Sequence, residues 1–405
     1  MSSAAVPAVP QRRTVAVLAL AQALFMSIQG MAIATTPLAG YMLLGADEKW
    51  MATVPIFLAH LGIMGTTIPA SLLMAAIGRR AGFSVGALLG IAFGAVGCLA
   101  LYRQSFPLLC LAALLQGMQA GFFWYFRLAA ADATEPTYRA KAISLVMAGG
   151  VVAGFIGPQA AKWSVDWLAP VTFAGVYVGM AGFSIAVLAL VQLLQIPRLS
   201  AAERATGGRA LPAILRQPAY RVALASSVFG YAVMTITMSA TPLAMQACGF
   251  TFLDSATVIQ MHIIGMFLPS FFTGHLIARF GVLPIIVAGG LIEFAGVAAN
   301  VAGIDFANFV VANILVGLGW NFAYVGGSTL LTTTYTPAER AKVQASHDFA
   351  VYAATATSAA LSGVLQAKAG WTVINLAAVP LMALVVGSAL WLMVHQRRLA
   401  AVPAE

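Results

Sequence analysis

Charged residues are scarce in this chain, at 8% of its 405 residues. A soluble domain carries about 25% charged residues, so this scarcity excludes an ordinary soluble domain. Hydrophobic residues make up 61% of the chain, and long polar segments are few. Apolar runs of about 20 residues, the length that crosses a bilayer, recur throughout. The composition is typical of a multi-pass membrane protein embedded in a lipid bilayer.

Cysteines are also few, and the three present show no paired spacing (Cys98, Cys110, Cys248). A disulfide framework and a cysteine-based zinc site are therefore not expected. The sequence has no glycine-rich phosphate loop with a lysine, which argues against ATP-driven pumping. No nucleophile, base and orienting group can be combined into a catalytic site. We therefore expect neither an enzyme nor a resident cofactor, and the role of Cys248 stays open.

Positive charge is unevenly distributed along the chain, whose net charge is +9. Because the basic residues are scattered at the ends of apolar runs, we do not expect a nucleic-acid partner. Most of them lie on one side of the predicted spans. This asymmetry follows the positive-inside rule and predicts that both termini are cytoplasmic. Only four basic residues fall on the other side, namely Lys49, Arg103, Lys162 and Lys368.

The apolar runs predict twelve spans, separated six and six by one polar segment. The predicted division is an N-terminal six-helix half at 1–196, a cytoplasmic linker at 197–218 and a C-terminal six-helix half at 219–405. The spans are expected at roughly 14–41, 52–77, 83–102, 106–128, 140–164, 170–195, 219–245, 256–278, 282–302, 307–333, 341–366 and 371–394.

The two halves repeat each other at an offset of about 200 residues. Pro136–Lys141 resembles Pro337–Lys342, and Ile63–Pro69 aligns with Ile263–Pro269, which places His60 opposite Gln260. Two parallel six-helix repeats are a known transporter architecture, with substrate bound near mid-membrane. The predicted fold class is therefore all-α integral membrane, with twelve transmembrane helices in two six-helix pseudo-repeats.

The sequence resembles the major facilitator superfamily over nearly its whole length, and two short motifs carry this resemblance. They are Gly154-Phe155-Ile156-Gly157-Pro158 in the fifth span and Gln116-Gly117 in the fourth. The resemblance implies the major facilitator fold. Two positions depart from the superfamily's pattern: Ala113 stands where many members carry arginine, and the loop at 78–82 lacks an acidic residue. These departures argue against standard proton-antiport drug export.

Two further motifs with a spacing of four residues lie on neighbouring spans. Met234 and Met238 are in the seventh span, and His262 and Met266 are in the eighth. This spacing puts each pair on one helix face. Thioether and imidazole groups suit a soft metal such as Cu(I). These four residues are the predicted metal ligands, although methionines also commonly fill gaps between helices.

The same motifs resemble those of the CcoA-like copper importers within the superfamily. That resemblance implies a bacterial inner-membrane protein that imports copper, as a substrate, for assembly of cbb3-type haem–copper oxidases. A copper chaperone or acceptor would then be a partner. Related members without these motifs carry other substrates, riboflavin among them. The copper oxidation state, the coupling ion, the acceptor and the oligomeric state stay open.

A carrier of a small organic molecule, such as riboflavin or a drug, is the alternative function. Aromatic and hydrogen-bonding groups would then converge at the centre, and the methionines would line an apolar cavity. An aromatic run, Trp124-Tyr125-Phe126, is either an interface anchor or a stacking surface. A copper sensor or assembly scaffold is a third hypothesis, which the short linker and tails disfavour.

The first half contains a partial copy of the metal motifs. His60 and Met64 lie in the second span, and Met26 and Met31 lie in the first. These four residues form a possible additional metal pathway.

Three titratable residues inside the spans are candidates for proton coupling: Glu293 in the ninth span, and His347 and Asp348 in the eleventh. Adjacent helical residues point in different directions, so His347 and Asp348 are not expected to form one site. Near the cytoplasmic end of the fourth span, Arg127 and Asp132 are predicted to be gate or structural charges.

Overall fold

The computed structural model describes residues 8–135, 138–196 and 208–400. The predictions for the two chain ends, for Pro136–Thr137 and for the linker residues 197–207 lie outside these ranges. All regular elements within them are helices. In the described part of the chain, two 3₁₀ turns, Ala46–Met51 and Pro337–Glu339, supplement fourteen α-helices. The α-helices of these ranges are α1 (Ala8–Leu43), α2 (Val54–Ile77), α3 (Arg79–Tyr102), α4 (Phe106–Phe123), α5 (Phe126–Asp132), α6 (Arg139–Ser164), α7 (Ala174–Val191), α8 (Leu211–Leu215), α9 (Pro218–Ala247), α10 (Phe252–Phe267), α11 (Ser270–Phe280), α12 (Val282–Ala302), α13 (Phe306–Thr332) and α14 (Arg340–Ala400).

Eleven helical stretches of the described chain are long and apolar enough to cross a membrane. The last of them, Lys342–Arg398, has 57 residues, more than twice the ~20 residues that a bilayer core requires. Inside it, Gly370 adopts φ 80° and ψ 177°, which interrupts the helix. This stretch therefore contains two spans, and the predicted all-helical, twelve-span architecture is confirmed.

Two other spans, predicted as continuous, are interrupted. The fourth span breaks after Phe123 and resumes at Phe126. The eighth breaks after Phe267 and resumes at Ser270, beside Pro269. Proline removes a backbone donor and clashes with the preceding turn, so it favours a break at this point.

The described residues pack into two compact units. The first contains those of 1–204 together with Thr251–Gln260, and the second contains those of 205–250 and 261–405. The end of the predicted linker belongs to the second unit, where Ile214 of α8 is fully buried in an apolar cluster with Tyr220 and Val343. This part of the linker therefore contributes to a hydrophobic core.

Close helix contacts at glycine fix the register of the internal repeat. A Cβ on Gly62 of α2 would lie 2.6 Å from the carbonyl oxygen of Leu114, and one on Gly265 of α10 would lie 2.8 Å from that of Ile314. A Cβ on Gly65 would meet nothing within 4 Å. Gly265 therefore corresponds to Gly62 and not to Gly65, and the sequence alignment in this region was wrong by three residues.

The corrected register also changes the partner of His60. A Cβ on Gly117 would clash with the carbonyl oxygen of Ala59, and one on Gly317 would lie 2.6 Å from that of His262. Ala59 therefore occupies the position that corresponds to His262. His60 lies one residue beyond it, so the first-half motif is not a true repeat of His262 and Met266.

Candidate functional site

The four predicted metal ligands all lie in the second unit. Met234 and Met238 lie one turn apart on α9, and His262 and Met266 lie one turn apart on α10. All four side chains are buried, with at most 7% of any residue exposed. Within the described ranges, no group of three or more His, Cys, Asp or Glu residues could hold a metal ion. A metal at this place would therefore depend on the thioethers.

The His262 ring is fixed by the backbone of α13. Its Nδ1 lies 2.8 Å from the carbonyl oxygen of Asn313. Because a carbonyl can only accept, Nδ1 carries the proton and donates. The other ring nitrogen, Nε2, is buried and has no hydrogen-bond partner in the described chain. A lone pair at Nε2 can ligate a metal or accept a hydrogen bond from an organic donor.

An aromatic cluster joins α9, α10 and α13, and consists of Tyr231, Phe267, Trp320 and Tyr324. Trp320 and Tyr324 stack with ring centroids 5.1 Å apart and planes 8° apart. Tyr231 meets these two rings edge-on at 5.3 and 5.4 Å. Phe267 lies 6.3 Å from Trp320. The cluster could not be predicted from local sequence because three helices supply it; the only local signal is the spacing of four between Trp320 and Tyr324.

The predicted ligands on α9 share a helix face with the aromatic cluster. Met234 and Met238 follow Tyr231 by three and seven residues, which places them on its side of α9. Met266 directly precedes Phe267. Methionine adapts its shape readily to aromatic surfaces. The two methionines of α9 are therefore placed to line an aromatic site as well as to bind a metal.

Several buried polar atoms in this region have no hydrogen-bond partner among the described residues. They include Trp320 Nε1, and the hydroxyls of Ser227 and Thr235, which lie one turn to either side of Tyr231. Buried polar groups are paired in the great majority of cases, so unpaired ones call for a ligand or water. Aromatic faces and unpaired donors and acceptors are the kinds of group that bind a flat organic molecule.

Glu293 of α12 extends between α9 and α13 beside this cluster. A Cβ on Gly319 would lie 2.6 Å from the Cγ of Glu293, and one on Gly230 would lie 3.9 Å from its Oε1. These glycines directly precede Trp320 and Tyr231 in sequence. Glu293 is fully buried, and neither carboxyl oxygen has a partner in the described chain.

The expectation that His347 and Asp348 diverge was wrong. Nδ1 of His347 lies 3.0 Å from Oδ1 of Asp348, so the two side chains contact each other. Both side chains are short enough to turn toward each other along the helix surface, which the 100° separation of their Cβ atoms does not prevent. His347 is buried whereas Asp348 is half-buried. Asp348 is therefore partly accessible at the surface of the protein, whereas Glu293 is fully buried.

The candidates of the first half occupy different surroundings. His60 Nδ1 lies 2.9 Å from the carbonyl oxygen of Ile56 on its own helix. Met31 is fully buried, and its Cε lies 3.2 Å from a Cβ built on Gly179 of α7. Met31 therefore fills the contact between α1 and α7. Met26 and Met64 are half-buried.

The charges and aromatic residues at the end of the fourth span form packing contacts within the first unit. Arg79 and Asp132 form an ion pair at 2.7 Å. The Arg79 guanidinium also lies 5.6 Å from the ring centre of Tyr125. Trp124 meets Phe25 edge-on at 5.6 Å. Arg127 is exposed, as is Cys248 at the end of α9.

Known proteins with similar sequences are membrane transporters. The family model described as Major Facilitator Superfamily matches residues 15–298 of this chain. The riboflavin transporter RfnT of Brucella anthropi is 37% identical over 377 residues, which cover 92% of this chain and 94% of that protein.

Two solved structures share the fold at low sequence identity. One is a bacterial homolog of the human lysosomal transporter Spinster, in an inward-facing and occupied conformation, with a TM-score of 0.71, 14% identity and coverage of 97% of this chain and 98% of that one. The other is the human organic anion transporter MFSD10, with a TM-score of 0.68, 12% identity and coverage of 94% and 99%. Together with the family match, the twelve-span fold shows that this chain belongs to the major facilitator superfamily.

Proposed function

We propose that this multi-pass membrane protein is a secondary transporter of riboflavin or a closely related flat heteroaromatic molecule. It would act in the bacterial inner membrane, with both termini in the cytoplasm. The observation that carries the proposal is the aromatic cluster of the second unit, with unpaired polar atoms around it. The 37% identity to a riboflavin transporter, over nearly the full length of both chains, supports the same substrate class.

The chemistry of the cluster fits a planar ring system with polar edges. Such a ring can join or replace the Trp320–Tyr324 stack, and stacked aromatic pairs contribute about 0.5–1.5 kcal/mol beyond their buried area. The indole Nε1 of Trp320 can donate to a ring carbonyl. The lone pair at Nε2 of His262 can accept from a ring N–H. Met234 and Met238 would then line the apolar part of the site.

Import of Cu(I) by Met234, Met238, His262 and Met266 is the competing hypothesis, and membership in the CcoA-like importers stays a prediction. The sulfur-rich faces and the unpaired Nε2 of His262 agree with it. The indole of Trp320 favours the organic substrate, because its N–H is a donor only and cannot ligate a cation. An acceptor on an organic molecule would pair it.

Transport assays in proteoliposomes separate these hypotheses. Uptake of radiolabelled riboflavin and of radioactive copper is measured for the wild type, for Trp320→Leu and for the double variant Met234→Leu and Met266→Leu. Leucine replaces methionine at nearly constant volume, so it removes the sulfur with little change in packing. The proposal expects riboflavin uptake that Trp320→Leu abolishes and the leucine variant largely retains. Copper uptake that the leucine variant abolishes, without riboflavin uptake by the wild type, would overturn it.

A further inference from the structure

Each unit has a buried polar side chain at an equivalent internal position. In the two units, however, this side chain comes from different members of the corresponding helix pair. In the first unit, Gly90 of α3 faces Gln119 of α4, whose Nε2 would clash with a Cβ on Gly90. In the second unit, Glu293 of α12 faces Gly319 of α13. Gly90 and Glu293 are each the twelfth residue of their helices, and Gln119 and Gly319 are each the fourteenth. The positions therefore correspond, with side chain and glycine exchanged.

The chemistry of the two positions differs. Gln119 cannot titrate, and its Nε2 donates to Ser184 Oγ of α7 at 3.2 Å. Glu293 can titrate, and both of its oxygens lack a partner in the described chain. The helix that packs beside it on the other side, α14, presents the apolar side chains of Val385 and Val386 to the nearby Gly290. A hydroxyl partner like Ser184 is therefore replaced by an apolar wall.

Among the described residues, no positively charged side chain forms an ion pair with Glu293. Tyr231 on α9 and Tyr324 on α13 are the titratable side chains of the neighbouring aromatic cluster. On α11, the titratable side chains are His275 and Arg279, which precede Gly281 at the start of α12. Glu293 lies about 18 Å farther along α12, at a rise of about 1.5 Å per residue. On α14, which packs against α12, the basic residues nearest in sequence to the Val385–Val386 contact on either side are Lys368 and His395.

An ionised carboxylate in such surroundings would be very costly, because it has lost water and gained no counter-charge. The neutral acid is the form that these buried surroundings tolerate. Loss of the proton requires access to water, and glycines at 230 and 319 leave the contact of α9 and α13 without large side chains beside the carboxyl. A titratable group that is sheltered in one state and hydrated in another can carry a proton.

We propose that Glu293 is the proton-binding residue of this transporter, and that its protonation and deprotonation couple proton movement to substrate movement. The proton binds to the carboxylate on the side of higher proton concentration and leaves it on the other side. Coupling then resides in the second unit, while the corresponding position of the first unit holds a neutral amide. The substrate part of this proposal rests on the proposed function; the proton-binding part does not.

The first test measures coupling in proteoliposomes with Glu293→Gln, which keeps the size and neutrality of the acid. We expect this variant to lose accumulation of radiolabelled riboflavin driven by a pH gradient and to retain riboflavin exchange at equal concentrations. The matched control is Ser184→Ala, which removes the hydrogen-bond partner of Gln119 at the corresponding place in the first unit and should retain both activities. Accumulation at the wild-type level by Glu293→Gln would overturn the proposal. Loss of exchange as well as accumulation would also overturn it, because it would indicate a structural or binding role.

The second test does not require a known substrate. Infrared difference spectra of the purified protein are recorded between low and high pH. We expect a carbonyl band of a buried carboxylic acid that disappears on raising the pH and is absent in Glu293→Gln. A wild-type spectrum without a band that depends on Glu293 would overturn proton binding. If the band is present but riboflavin is not transported, the substrate assignment fails while the proton-binding residue stands.

Discussion

Arg209 and Glu339 form an ion pair that anchors the segment before α9 to the loop between α13 and α14. The guanidinium Nη2 lies 2.8 Å from Oε2 of Glu339, and the Arg209 Nε lies 2.9 Å from Oε1. The backbone N–H of Arg209 also donates to this carboxylate. Gly208, with φ +85°, permits the approach, since a Cβ there would clash with Glu339. The end of the predicted linker is therefore held by its own unit.

This pair makes stability depend on pH in a defined direction. The side-chain hydrogen bonds from Arg209, followed by the backbone N–H of Thr336, hold the pKa of the Glu339 carboxyl below its ordinary value of 4.5. A lowered pKa in the folded state stabilises the protein above pH 4.5, and this stabilisation is lost as pH falls below that value. We expect Glu339→Gln to lower the thermal midpoint at pH 7 and to differ progressively less from the wild type below pH 4.5.

The measurement is thermal unfolding in detergent over a range of pH. The control is Glu48→Gln, at an exposed position of the first 3₁₀ turn, which should leave the midpoint unchanged. An equal loss of stability for Glu339→Gln at acid and neutral pH would show that the carboxylate charge is not what holds the segment.

Trp320 should contribute to substrate binding through both its ring and its N–H. Phe in its place keeps an aromatic face and removes the donor, so we expect a roughly five-fold weaker affinity for riboflavin, as for loss of one hydrogen bond of about 1 kcal/mol. Alanine also removes the stack, and the loss should exceed ten-fold. The matched control is Trp163→Phe on α6, where the side chain is 73% exposed. Affinity is measured by equilibrium binding, and equal affinities for Trp320→Ala and wild type would exclude this role.

His262 should stabilise the second unit through its bond to Asn313. Alanine leaves the Asn313 carbonyl without this donor, and an unsatisfied buried group costs about 1–3 kcal/mol. Asparagine offers an amide near the position of Nδ1 and should restore part of that loss, while it removes Nε2. Unfolding by denaturant checks this. The free energy of unfolding should be highest for the wild type, lower for His262→Asn and lowest for His262→Ala. If the asparagine variant is no more stable than the alanine variant, the Nδ1 bond is not the source of stability.

Gly317 should be intolerant of any side chain. A Cβ there would lie 2.6 Å from the carbonyl oxygen of His262 and 3.0 Å from the Met266 nitrogen, so alanine must separate α10 from α13. Overpacking of this kind costs about 1–3 kcal/mol. Gly274→Ala is the control, because a Cβ at that position meets nothing within 4 Å. Thermal unfolding should show a lower midpoint for Gly317→Ala than for the wild type and an unchanged midpoint for Gly274→Ala. A Gly317→Ala variant as stable as the wild type would contradict the close contact.

The spans could be predicted from the sequence because bilayer thickness sets a length that apolar runs either reach or do not reach. The register of the repeat could not. A shift by three residues nearly preserves the helix face, so Gly65 matched Gly265 in sequence although Gly62 makes the corresponding contact. Only the carbonyl oxygens that face these glycines distinguish the two alignments.

The site was predicted in part. The spacing of four identified Met234 and Met238 on one face, since that relation is local to a helix. The aromatic cluster was missed because Tyr231 and Trp320 are far apart in sequence and meet only when α9 packs on α13. The contact of His347 with Asp348 depends on side-chain rotamers, which helix periodicity does not determine.

Titration of the purified protein with riboflavin, followed by quenching of flavin fluorescence, tests the substrate assignment most directly. Stacking on the Trp320–Tyr324 pair should quench the flavin in a saturable manner. We expect such quenching in the wild type and in the Met234→Leu, Met266→Leu variant, and its loss in Trp320→Ala. Absence of quenching in the wild type, together with saturable Cu(I) binding that the leucine variant loses, would contradict the substrate assignment.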